Sequence, residues 1–314
     1  MDAAQRIAAI EALIHVDVGR NISALCAAAN GGLHAAASAL AEARCVGVIT
    51  GFYVPRGTPP AAETDGPVGA ALLLHGLGAI GITGRLATDR PCASACAAAL
   101  RAAGLDTPLD IADLDRPLEP TIDTWRRAGV THALSIERCG LAADGRPHNL
   151  TGLDVSDCTV PLDHLFRAGP WPTIAIGDGG NEIGMGSLPP GIIAANILNG
   201  ETIACTTPAD HLIVAGVSNW GAWALLAALA VLRPSWRPSL LGSLDPALDL
   251  RILETTLHEG PAVDGVSRAQ TLTVDNHPVA MHHAKLAEIV GVVMAKYQLS
   301  EWLTDDVRKQ ALLF

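Results

Sequence analysis

The chain of 314 residues carries 32 acidic against 21 basic side chains, a formal net charge of −11, with 49% apolar and 17% charged residues. That balance excludes a disordered chain, and the lack of a basic stripe excludes a nucleic-acid partner. Mean hydropathy is +0.31, yet the longest nearly apolar stretch, Trp220 to Leu232, falls short of the roughly 20 residues that a bilayer-spanning helix needs.

In chain order, apolar residues at helical spacing predict helices over 3–14 and 33–43. Strand and helix signals then alternate. Strands are expected at 45–50, 79–83, 108–112, 131–136, 173–176 and 211–215, and helices at 68–77, 91–103, 122–128, 192–198, 219–232, 247–257 and 279–297. Alternation of this kind predicts an α/β fold: a doubly wound, mostly parallel, Rossmann-like sheet with extra helices at both termini. One domain over 1–314 is expected, with 1–43 as a helical N-terminal extension and 244–314 as a helical part packed on it. The apolar end Ala311-Leu-Leu-Phe314 either docks on its own chain or packs on a second copy in a homo-oligomer.

Asp2 stands where a secretory signal carries lysine or arginine, and the seven cysteines form no paired framework. A cytoplasmic protein with reduced thiols and no membrane partner is expected. The only lysines are Lys285, Lys296 and Lys309. None lies in a glycine-rich turn, so no ATP-type P-loop is present, and a Schiff base with PLP would have to use one of those three. Gly76-Leu-Gly-Ala-Ile-Gly81 has dinucleotide-motif spacing but ends a helix instead of opening one, so no NAD is expected.

In a parallel sheet, ligands bind beyond the carboxyl ends of the strands. The segments that follow the predicted strands carry Glu63, Asp65, Arg138, Asp178, Asn181, Glu182, Ser218 and Asn219. Such an oxygen-rich rim suits magnesium, calcium or manganese better than zinc; the alternative is that single carboxylates merely cap helices. The segment Gly177-Asp-Gly-Gly-Asn-Glu-Ile-Gly-Met-Gly186 has five glycines in ten residues, so its backbone N–H groups can turn toward an anion. Arg138 either clamps a carboxylate or pairs with Glu137 or Asp144. Ser218 and Asn219 either cap the following helix or orient a substrate.

Together Thr50-Gly-Phe52, Glu63-Thr-Asp-Gly-Pro67, Ile136-Glu-Arg138, the Gly177–Gly186 segment and Val217-Ser-Asn-Trp-Gly221 resemble the C-terminal domain of the D-glutamate cyclases. The similarity covers most of the chain. Two places depart from the family pattern: Cys139 stands where proline is expected, and Asn149-Leu-Thr-Gly152 replaces a run that carries arginine. The resemblance implies a hydro-lyase that converts the amino acid D-glutamate to 5-oxoproline with a divalent ion, manganese or magnesium, and without NAD, PLP or ATP. For that reaction Glu63, Asp65 and Asp178 are expected to hold the metal. Gly179 and Gly180 would stabilise an oxyanion, and Glu182 would move the proton, beside Asp178 and Asn181. Arg138, Ser218 and Asn219 would bind the substrate. The rivals are another metal-dependent hydrolase or dehydratase of a small amino or hydroxy acid, and a non-catalytic sensor of an acidic metabolite.

Overall fold

A computed structural model describes residues 1–295. The expected features at 296–314, including Lys296, Lys309, the end of the last helix at Tyr297 and the tail Ala311–Phe314, lie outside the described residues.

Six parallel strands form the central sheet: β1 (Cys45–Thr50), β2 (Thr83–Asp89), β3 (Leu109–Ala112), β4 (His132–Ile136), β5 (Thr173–Gly177) and β6 (His211–Val214). Their order is β3-β2-β1-β4-β5-β6, every pair parallel. The strand order therefore reverses between β1 and β4, and a crevice opens there outside the carboxyl ends. The longer helices are α1 (Ala3–Ile14), α2 (Gly32–Leu40), α3 (Pro67–Ala79), α4 (Ala93–Ala102), α5 (Glu119–Arg127), α6 (Ser218–Leu232), α7 (Pro246–His258) and α8 (Val279–Met294).

Strand side chains alternate between two buried faces, as a sheet covered on both sides requires. Val46, Val48, Leu134, Ile136, Ile174 and Ile176 join the core formed with α1, α2, α3, α6, α7 and α8. Ile49, Ala133, Ala175 and Val214 face the opposite core, which holds Trp125, Leu165, Phe166 and Trp171. On that second face a Cβ at Gly47 would overlap the Trp125 ring, so glycine at this position makes room for the indole. Apolar on nearly every side, α6 is buried along almost its whole length and packs against α1, α2, α3 and α8. Its hydropathy reflects that central position.

One strand differs from expectation. The second runs over Thr83–Asp89 and not over 79–83. Helix α3 continues to Ala79, and Gly81 turns the chain at φ +85°. Arg85 hid the strand: its charge sits inside β2 because Asp110 on β3 binds it twice, at 2.9 and 2.6 Å. The expected helix at 192–198 is shorter, Ile192–Asn196.

Candidate metal and substrate site

Glu137 directly follows β4 at the reversal point, and Asp178 directly follows β5. Asp65 sits just before α3, and Ser218 opens α6. One carboxylate oxygen from each of Asp65, Glu137 and Asp178 falls within 4.8 Å of the others, and all three residues are buried. Glu137 holds its place with φ +44°, a conformation that disfavours any side chain bearing a Cβ.

Two helix ends fix this cluster by capping each other. Asp65 accepts from the backbone N–H groups of Ser218 (2.9 Å) and Asn219 (2.8 Å), the first turn of α6. In return the Asn219 side chain accepts from Gly66 (3.0 Å) and Gly69 (2.7 Å), the first turn of α3. Unpaired N–H groups and the helix dipole favour negative charge at both ends. Ser218 Oγ donates to Glu137 Oε2 at 2.6 Å and orients that carboxylate.

Arg20 is the counter-charge. Its guanidinium reaches Asp178 at 2.5 Å and Asp275 at 2.8 Å, and it donates to Gly216 O at 3.2 Å. The Asp17 side chain builds the turn that carries it, accepting from Gly19, Arg20 and Asn21, each at 2.9 Å. Asp275 comes from the tight turn between Val274 and His277, where Asp275 and Asn276 both have positive φ.

One guanidinium does not balance so many buried acids. Burial, then the charges of Asp275 and Asp65, pushes Glu63 well above the ordinary carboxylate range. Burial, then Asp275, lifts Asp65 to about 7 against the pull of the α6 N–H groups. Glu137 rises through burial and its neighbour Glu182, and Asp178 rises through burial although Arg20 opposes it. A folded-state value above the unfolded one means that the native state holds extra protons above the ordinary carboxylate range, for Asp65 between about pH 4 and 7. Stability is then greatest below that window and is lost as pH climbs through it. Chelator-treated protein is expected to melt at a lower temperature at pH 8 than at pH 5, and a divalent cation at pH 8 to recover the loss. Thermal melts across pH with and without manganese check this; a flat profile rejects the charge excess.

The trio also offers an acceptor without a donor. Among the described residues Asp178 Oδ1 is buried with no hydrogen-bond partner. Buried acceptors rarely stay unpaired, and oxygen-only carboxylate sets suit hard divalent ions. The residues present fit such an ion.

The expected site residues divide into several groups. Asp65 and Asp178 meet as anticipated, but the third member of the trio is Glu137, while Glu63 stands beside it on the wall of the adjoining cleft. The clamp expected of Arg138 is not available. Its guanidinium is buried and donates to Asp89 at 2.5 Å, Gly51 O at 2.6 Å and Val160 O at 2.6 Å. The glycine-rich turn does bind an anion, but the anion is its own Glu182: Gly179 and Gly180 donate to its two oxygens at 2.7 Å each, and Asp178 donates at 3.3 Å. This geometry takes Gly179 and Gly180 from an oxyanion role and Glu182 from a proton-shuttling role. Asn219 is occupied by capping. Asn181 donates to His148 O at 2.9 Å and lines the cleft, its Oδ1 buried and without a partner among the described residues. Of the divergent stretches, Asn149, Leu150 and Thr151 line the cleft, while Cys139 is buried behind it.

Sequence reasoning missed Glu137, Arg20 and Asp275. Only Glu137 left a readable signal, its place directly after a central strand.

The family model described as D-glutamate cyclase-like, C-terminal, matches residues 10–290. A curated human protein, D-glutamate cyclase, mitochondrial, is 32% identical over 256 residues, which is 74% of this chain and 40% of that protein. The chain thus spans about 40% of the length of the curated relative it matches.

Proposed function

The chain belongs to the D-glutamate cyclase-like, C-terminal family, and from that premise we propose that it closes D-glutamate to 5-oxo-D-proline with loss of water. The observation that carries the reading is the buried trio of Asp65, Glu137 and Asp178 at the sheet's reversal point, beside a cleft that also holds Glu63 and Asn181.

Ring closure joins the α-nitrogen to the carbon of the γ-carboxylate of the same molecule. The ammonium gives up two protons, and one γ-carboxylate oxygen leaves with both of them as water. Because the step is intramolecular, holding a folded substrate supplies much of the rate. Asp65, Glu137 and Asp178 would hold a divalent cation, manganese or magnesium, whose chemistry when bound is Lewis-acid polarisation of a carboxylate oxygen. Glu63 is the proton carrier in this reading. Burial raises its basicity, as removal of an ammonium proton requires, and no described residue hydrogen-bonds its carboxylate. Asn181 Oδ1 accepts from the substrate ammonium. Ser218 keeps Glu137 in register.

Purified protein incubated with D- or L-glutamate, with and without manganese, tests the proposal. Lactam is expected from D-glutamate in the presence of the metal. Stoichiometric binding without lactam would move the assignment to a sensor.

One substitution isolates Glu63. A Cβ on Gly265 would collide with Glu63 Oε2, the far end of a flexible side chain. Gly265→Ala is therefore expected to displace the carboxylate and not to unfold the chain, lowering turnover by about 10- to 100-fold with little change in melting temperature. Unaltered turnover would remove Glu63 from the chemistry.

A further inference from the structure

The cleft floor is acidic, and both arms of Arg20 are engaged by Asp178 and Asp275. A substrate with two carboxylates cannot settle there on amide groups alone. Two other arginines, Arg56 (exposed) and Arg268 (half-buried), line the same cleft, and among the described residues neither side chain has an acidic partner.

Both arginines stand on ordered backbone. Val54-Pro-Arg-Gly57 forms a turn closed by Gly57 N donating to Val54 O at 3.0 Å, with proline at its second position and Arg56 at its third. The second loop winds around Asp264, whose fully buried side chain accepts from Val266 and Ser267 at 2.9 and 2.6 Å. Arg268 N donates to Asp264 O, and Thr58 N donates to Arg268 O, both at 2.8 Å, so the two loops are stitched together. Arg268 sits at φ +61°, where glycine or asparagine would be far less strained. Strain of this kind persists where the surroundings impose it, and it gathers at ligand clamps.

We infer that Arg56 and Arg268 anchor a carboxylate of the substrate, making the cleft selective for a small dicarboxylate; this rests on the cyclase reading for the identity of that acid. Guanidinium and carboxylate pair through two parallel hydrogen bonds. The anchored end then faces away from the acidic floor, and the amine is left toward Glu63 and Asn181.

Calorimetric titration with glutarate, a dicarboxylate that cannot cyclise, tests the anchor directly, alongside D-glutamate kinetics. The variants are Arg56→Gln and Arg268→Asn, the second chosen because asparagine tolerates the left-handed backbone. Each is expected to weaken glutarate binding and raise KM by about tenfold or more, to leave kcat within about threefold, and to blunt the salt dependence of binding. Arg56→Lys should recover part of the loss. If wild-type protein binds glutarate through these arginines yet makes no lactam, the cyclase reading fails and the anchor stands. Glutarate binding as tight in both variants as in wild type, or none in wild type, overturns the anchor.

Discussion

Arg138→Met is expected to destabilise the protein by about 3–5 kcal/mol, because it strands Asp89 as an uncompensated buried charge. The ion pair is inaccessible on both sides, with 1% of each side chain exposed. The same substitution frees the carbonyls of Gly51 and Val160, which the guanidinium now holds at 2.6 Å. Those two oxygens belong to the loop after β1 and to the segment that covers β4, so the arginine ties the walls behind the site together. Urea unfolding at constant pH measures the loss. Arg138→Lys keeps the charge but not the fork, and should fall between methionine and wild type. A methionine variant of native stability with a raised KM would mean that Arg138 binds substrate after all.

For Asp178→Asn the large effect is on turnover. The amide keeps the shape of the carboxylate but removes one of the three carboxylates proposed to hold the cation, and a catalytic cation contributes several kcal/mol of charge stabilisation. A fall of at least about 100-fold is expected, since each 1.4 kcal/mol is a factor of ten. Stability should behave differently. With the chelator present the variant should melt no lower than wild type at pH 8, because one charge leaves an over-acidic cluster and Arg20 keeps Asp275. The manganese-induced rise in melting temperature should vanish. A variant that still gains the full rise would show that the ion sits elsewhere. Together the two substitutions separate the scaffold from the chemistry: one costs stability, the other activity.

Much of the architecture was legible in local patterns. Apolar runs such as Cys45–Thr50 and Thr173–Ile176, set between alanine-rich helical stretches, can be read as a parallel sheet because both faces must be buried. The strand at Thr83–Asp89 resisted that reading because Arg85 breaks its apolar pattern, and the compensating Asp110 lies 25 residues away. The site was legible as a set of acidic segments at strand ends. Roles within it were not. Arg138 and Glu182 had the residue types expected of substrate-binding and proton-moving groups, but hydrogen bonding depends on which donors come within 3 Å, and no one-dimensional spacing records that.

Residue order alone determined the layered α/β class, the edge of the sheet on which polar groups would gather, the membership of Asp65 and Asp178 in that gathering, and the family. These follow from periodicity and from contiguous motifs, which are local properties of a chain. Tertiary structure decided the rest. It brought Glu137 and not Glu63 into the trio, drew Arg20 and Asp275 in from the two ends of the chain, and turned the glycine nest inward on Glu182. Charge and hydrogen-bond balance are settled by distance in space, and every one of those choices joins residues through such contacts.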